Sequence, residues 1–304
     1  MLAFSTNWNA SRHKDGAAII DEILGLGFDT VELGHGLSKS LLHGIHERHA
    51  RGDFRVGSVH NFCPMPVEIL ADNPDCYEFT SKKSRERERA SKLTLHSMAT
   101  AKAFGARHVV LHLGRIATLD GLTDGLLDLL RARGVADRSY NRAKLAQVLR
   151  REKEGPSVIR SLVRVLEPLV EEAVRLGLVL VAENRSDFEA VPTEREMLSL
   201  LKEFDSPHFR YWHDFGHAQM RENMGLLDHA QWLEQVAPYA AGAHLQDAGW
   251  PDRDHLPPFH GMVDFPRLMP ILPPGIPFVL ELSHRNPPDT ILESAARWRE
   301  TFPA

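Results

Sequence analysis

Apolar or β-branched runs of strand length recur along the chain, separated by stretches whose apolar residues repeat at helical spacing. The early runs are Leu2-Ala-Phe-Ser-Thr6, Thr30-Val-Glu-Leu33, Phe54-Arg-Val-Gly-Ser-Val-His60 and His108-Val-Val-Leu-His-Leu113. The late ones are Leu178-Val-Leu-Val-Ala-Glu183, Phe209-Arg-Tyr-Trp-His-Asp214, Ala240-Ala-Gly-Ala-His244 and Phe278-Val-Leu-Glu281. Runs that are continuously apolar rather than alternating suit parallel strands covered on both faces. Between them, Ala17 to Leu26 places Ala18, Ile19, Ile23, Leu24 and Leu26 on a helical stripe and stops at Gly27. Ser84 to Phe104 ends in the same way at Gly105, and Ser157 to Leu176 at Gly177. Glycine after the last helical turn is the residue that most readily closes a helix. Eight strand–helix units in ~250 residues plus insertions predict an α/β fold, the parallel eight-stranded (β/α)8 TIM barrel. A doubly wound open sheet is the alternative, but no strand is followed by a Gly-rich phosphate turn, and Gly34-His-Gly36 is too short to count as one.

Two spacings are long. His112 and Glu183 stand 71 residues apart, which predicts a helical insertion over Arg115–Pro156 after the fourth strand; His60 and His112 stand 52 apart, which allows a long loop from Asn61 to about Asp75. Insertions after barrel strands build the rim of the active-site face. Trp250 to Pro277 holds eight of the nineteen prolines and reads as a stiff loop with one short helix beside the site. No linker divides the chain, so residues 1–304 are expected to form one barrel domain. The mixed-sign run Lys82-Lys-Ser-Arg-Glu-Arg-Glu-Arg89 reads as a solvated helix face.

Charge narrows the function classes. A net charge of −5 lacks the basic footprint of a nucleic-acid binder. No run approaches the roughly 18 apolar residues of a membrane span, and the N-terminus lacks signal-peptide features. Two cysteines outside any CxxC pair suggest a reduced, cytoplasmic setting.

The chemistry lies where the strands end. Glu183, Asp214, His244 and Glu281 close the four late runs at intervals of 31, 30 and 37 residues. Side chains at the C-terminal ends of barrel strands face one mouth. His60 and His112 belong to the same end, and Asp214-Phe-Gly-His217 folds His217 back toward it. Buried like charges raise one another's pKa and cost several kcal/mol unless a cation neutralises them. Two Glu, one Asp and one His around a divalent ion meet that requirement. Oxygen-rich ligation favours Mn2+, with Mg2+, Co2+ and Zn2+ as alternatives. Taken singly, Asp214 would serve equally as a helix cap.

Asp214-Phe-Gly-His217, His244-Leu-Gln-Asp247 and Pro257-Pro-Phe-His-Gly261-Met-Val-Asp264-Phe265, in this order, resemble the sugar isomerase and epimerase branch of the xylose isomerase-like TIM-barrel superfamily, which also includes the endonuclease IV group. The resemblance runs from Phe4-Ser-Thr6 to Glu281 and implies Glu183, Asp214, His244 and Glu281 as the ligands. Gln246 departs from it, since many relatives carry Lys there, and so does Phe259-His-Gly261, where relatives carry a Gly-Glu-Gly-like segment.

The expected reaction is isomerisation or epimerisation of a keto-sugar through a metal-stabilised enediolate, with Glu183 and Glu281 as the acid/base pair. His217 and His112 would orient hydroxyls or polarise the carbonyl, while His60, Trp8 and Arg285 would contribute walls. A lyase or dehydratase on a keto-sugar or keto-acid would use the same chemistry. Two further readings are a phosphodiester hydrolase with extra ligands from His60 and His112, and a non-catalytic sugar-binding barrel. The insertion could also supply a homo-oligomer interface.

Overall fold

The computed structural model describes residues 2–71 and 73–303; Met1, Asp72 and Ala304 lie outside them. Among the described residues ten strands form: β1 (Leu2–Ser5), β2 (Thr30–Leu33), β3 (Arg55–His60), β4 (His108–Leu111), β5 (Val179–Glu183), β6 (Phe209–Asp214), β7 (Ala240–Leu245), β8 (Asp247–Gly249), β9 (Arg253–Leu256) and β10 (Phe278–Leu280). Eight close into a barrel in the order β1-β10-β7-β6-β5-β4-β3-β2, and every pair is parallel. These eight are the apolar runs expected from the sequence.

Alternation along the strands decides which residues face the axis. Ala3, Val110, Val179, Val181, Trp212 and Val279 form a small core of their own inside the barrel. Glu183 is two residues on from Val181, Asp214 from Trp212 and Glu281 from Val279, so all three carboxylates continue the inward-facing column. Trp212 is the plug. Gly242 on β7 leaves room for it, because a Cβ there would stand 2.1 Å from the indole. The larger core lies between strands and helices, built from residues such as Phe4, Ile19, Leu93, Leu166, Leu200 and Trp298.

The helices are α1 (Gly16–Gly25), α2 (Lys39–Ala50), α3 (Ser84–Ala103), α4 (Leu122–Arg133), α5 (Arg138–Leu176), α6 (Glu194–Phe204), α7 (Phe215–Asn223), α8 (His229–Val236), α9 (Phe265–Leu268) and α10 (Pro288–Thr301). No helix among the described residues is long and apolar enough to cross a membrane.

Two expectations change. The material expected to end at Pro156 and the helix expected to begin at Ser157 are one 39-residue helix, α5, with Pro156 and Pro168 inside it. A mid-helix proline costs about 3 kcal/mol through its missing amide and its ring. Here packing against α3, α4, α6 and β5 carries the helix through. The proline-rich stretch, besides its short helix α9, contributes to an antiparallel hairpin of β8 and β9. Asp247 anchors it, accepting from the amides of Ala248, Gly261 and Val263 at 2.8, 2.8 and 2.9 Å.

Candidate metal centre and its surroundings

Glu183, Asp214 and His244 have no solvent exposure, and Glu281 has 4%. One ligand-type atom from each of the four lies within 4.8 Å of all the others. His244 Nδ1 is 3.2 Å from Glu281 Oε2, 3.5 Å from Glu183 Oε1 and 3.8 Å from Asp214 Oδ2. Strand register brings them together, since Asp214 sits beside His244 across β6 and β7, and His244 beside Val279 across β7 and β10.

The donor set fits a divalent cation. Glu183 Oε1 and His244 Nδ1 are buried without a well-directed hydrogen bond, although His217 Nδ1 stands 3.2 Å from Oε1, and both belong to the four-residue cluster. A buried, unpaired carboxylate oxygen is costly unless something positive meets it. Burial pushes Asp214 up, with Glu183 adding to the shift against the opposing pull of His217. Burial opposes ionisation of Glu183 too, but His244 and His112 outweigh it and hold this carboxyl well below the usual range. His244 is driven well above the ordinary imidazole value because Glu281, Glu32 and Glu183 overcome its burial. To serve as a ligand His244 would bind through a deprotonated Nδ1, so an ion entering the cluster would displace that proton.

Asp214 caps a helix, as its sequence position allowed, while also lying in the cluster. Its Oδ1 caps α7 by accepting from the His217 amide at 2.7 Å, while Oδ2 accepts from Gln246 Nε2 at 2.8 Å. Gly216 permits that approach, because a Cβ there would meet Gln246 Oε1 at 2.5 Å. Asn184 ties the same turn together, accepting from the Asp214 amide and donating to its carbonyl.

The other expected residues separate into two groups. His60 Nε2 and His112 Nε2 stand 3.3 and 3.2 Å from Glu183 Oε2, and His217 Nδ1 stands 3.2 Å from Oε1. All three are buried against the cluster. His217 rises to about 9, Asp214 and Glu183 outweighing its burial. Arg285 is exposed and lines a cavity of about 740 Å³ that opens above Glu281. Trp8 does not reach that cavity. It is fully buried, stacked beneath Arg12, with Nε1 donating to the Asn286 carbonyl at 3.0 Å. Its ring closes the barrel's flank because the chain turns into a short 3-10 helix, Thr6–Trp8, directly after β1.

Several residues of the centre lie outside the expected set. Glu32 on β2 is buried, with its carboxylate 3.1 and 3.2 Å from His244 Nε2, and it accepts from Ser58 Oγ at 2.8 Å. Asn7 donates to Glu281 Oε1 at 3.0 Å. Arg185 donates to His112 Nε2 and, at 3.1 Å, to Asp75 Oδ2, while His112 Nδ1 lies 3.0 Å from Asp75 Oδ1. His255 on β9 comes within ligand distance of His217 and Asp254. The glutamate in Thr30-Val-Glu-Leu33 was the available signal for Glu32, since an acid inside a short apolar run needs a partner.

The model of the family described as xylose isomerase-like TIM barrel matches residues 20–301, and the chain belongs to that family. No curated protein sequence matches it. Among solved structures it is similar to a D-tagatose 3-epimerase-like protein, with TM-score 0.70 and 17% identity over 99% of this chain and 96% of the other. It is similar to the 3-keto-D-glucoside 4-epimerase of E. coli, with TM-score 0.66 and 14% identity over 98% of each chain. A third, the IOLI protein with a bound zinc atom, gives TM-score 0.68 and 12% identity over 100% and 99%. At these identities the likeness speaks for the shared fold.

Proposed function

We propose that this member of the family is a divalent-metal-dependent isomerase or epimerase of a keto-sugar or a related polyhydroxy carbonyl compound. The observation that carries the reading is the convergence of Glu183, Asp214, His244 and Glu281 within 4.8 Å, with Glu281 also lining an open cavity. These four would hold the ion, with Mn2+ preferred for an oxygen-rich set. When bound, such an ion polarises a carbonyl and its neighbouring hydroxyl and so acidifies the C–H between them.

The chain's own groups do the rest. Glu183 rises from β5 and Glu281 from the end of β10, with β6 and β7 between them, so a substrate over the cluster is flanked by two carboxylates. His244 and His112 keep Glu183 ionised, the state a proton acceptor requires. One glutamate removes the proton. The other returns one to the opposite face in an epimerase, or to the adjacent carbon in an isomerase. Asn7 steadies the Glu281 carboxylate, and the Asn184 carbonyl, 3.0 Å from His217 Nδ1, steadies that imidazole for a hydroxyl contact. The name of the 3-keto-D-glucoside 4-epimerase among the similar structures supports this class of chemistry.

A second reading has one observation in its favour. His60, His112 and Glu183 form another potential cation group, and His217, Asp254 and His255 a third, as a multinuclear hydrolase would need. Arg185 weighs against it, because its guanidinium already places fixed positive charge at His112. The test is incubation with keto-sugars and Mn2+ in D2O, followed by NMR and by metal analysis. Deuterium entering one carbon, with about one ion per chain, supports the proposal. No exchange with two or three zinc ions per chain favours the hydrolase.

A further inference from the structure

The cavity above the cluster has an electrostatic character that the proposed reaction does not use. Arg253 on β9 and Arg285, beyond the end of β10, both line it and are both exposed. Neither guanidinium has an ion-pair partner among the described residues. Most of the other arginines near a cleft are committed: Arg185 to Asp75, Arg151 to Glu196, Arg221 to Glu194. The acidic residues lining the cavity are Asp254 and Glu281. Asp254 stands 3.8 Å from His255 and Glu281 lies in the ligand cluster, so the lining is balanced in formal charge and its unengaged charges are the two guanidinium groups.

Two further features of the cavity bear on its ligand. The first turn of α10 opens on the same cavity through Pro287 and Thr290; no side chain caps it, and the turn already carries the carboxylate of Asp289. Uncapped amides at a helix start favour negative charge. Among the described residues the lining has no Phe, Tyr or Trp, and its rings are the polar imidazoles of His35, His255, His260 and His284. Gln246, which points to Asp214 rather than outward, takes no part.

We infer that the substrate carries an anionic group, a carboxylate or a phosphate, at the end remote from its reacting carbonyl, and that Arg253 and Arg285 bind it. The inference rests on the proposed reading of the cluster as the place of reaction. A planar guanidinium presents paired donors that match the oxygens of either anion, which a neutral hydroxyl cannot engage in the same way. Arg253 sits on the hairpin and Arg285 on the loop after β10, so an anion between them would bridge two separate elements of the rim.

The test is a calorimetric titration, with Mg2+ present, of three probes that share the same carbons: D-fructose, D-fructuronate and D-fructose 6-phosphate. At least one anionic probe is expected to bind ten or more times more tightly than D-fructose. That advantage should shrink to within twofold in Arg253→Gln/Arg285→Gln, whose exposed positions leave folding intact by circular dichroism. Which anionic probe shows the gain tells carboxylate from phosphate. Equal affinity for all three, or an advantage that survives in the double variant, overturns the inference. Exchange of the C–H proton is followed separately on the same probes. Exchange on D-fructose with no anionic preference would sink the anion site and leave the reaction standing. Arginine-dependent binding without any exchange would do the reverse.

Discussion

Arg151 ties the insertion to the loop that carries part of the candidate site, and its removal has a cost that follows from its contacts. It lies on α5, is 3% exposed, and donates to the carbonyls of Phe188 and Ala190 at 2.7 and 2.8 Å and to Glu196 at 2.7 Å. Those carbonyls belong to the segment between β5 and α6, which also contains Arg185. Arg151→Met keeps most of the packing and removes all three hydrogen bonds. Breaking a buried ion pair from one side costs about 3–5 kcal/mol; here the carbonyls of Phe188 and Ala190 also lose their donor, while Glu196 keeps its bond from the Thr193 amide. For 304 residues the unfolding entropy is about 0.6 kcal/mol per degree. The expected fall in Tm is therefore about 5–8 °C by calorimetry. Arg195→Ala, which removes an exposed pair with Glu152, should move Tm by no more than about 1–2 °C. Amide exchange over residues 185–192 should accelerate in Arg151→Met alone. A shift no larger than that of Arg195→Ala, with unchanged exchange in this loop, would refute the idea that the insertion braces it.

Three other outcomes follow from the centre and its neighbours. Mn2+ at about 100 times its Kd should add about 2.7 kcal/mol, or about 4 °C in Tm, and Asp214→Asn should abolish most of that gain; a Tm indifferent to the ion would contradict the ligand set. Glu32→Gln removes the carboxylate behind His244 and should weaken metal binding about 10–100-fold in a competition titration, whereas unchanged affinity would show that Glu32 only fills space. His229 is held down to about 3 by burial, with the charge of Arg267 adding to it. The folded state favours neutral His229, so its contribution is complete above the ordinary imidazole pKa and is lost as pH falls toward 3. Below about pH 6.5 that loss approaches ~1.4 kcal/mol per pH unit. The stability of His229→Gln should fall less steeply from pH 6.5 to 5, by about one proton, and parallel curves would count against it.

The barrel was legible because strands covered on both faces must be apolar throughout, so an ionisable residue at the end of such a run stands out. Glu183, Asp214, His244 and Glu281 all gave that signal, and β-strand alternation then put three of them behind Val181, Trp212 and Val279 on the axis. Glu32 escaped because it lies inside its run, next to a register shift between Val31 and Glu32. Asn7 escaped because one neutral amide after a short strand carries no distinctive signal, although it positions Glu281. Asp75 and Arg185 are loop residues 110 apart in sequence that meet only once the barrel closes. Trp8 was misplaced for a related reason: nearness to the end of β1 says nothing about direction when the chain turns at once. The β8–β9 hairpin has strands of three and four residues, too short for alternation to register.

The central claim is that one carboxylate takes a carbon-bound proton and another returns one, over a cluster that holds a divalent cation. Deuterium exchange into a turned-over keto-sugar, compared among the native protein, Glu183→Gln and Glu281→Gln with metal content measured in each, addresses it directly. Assayed at metal concentrations that restore the native ion content, both variants should lose exchange by about 100-fold or more, the range expected for removing a positioned acid or base. Exchange at the native rate in both, with the metal still bound, would contradict it.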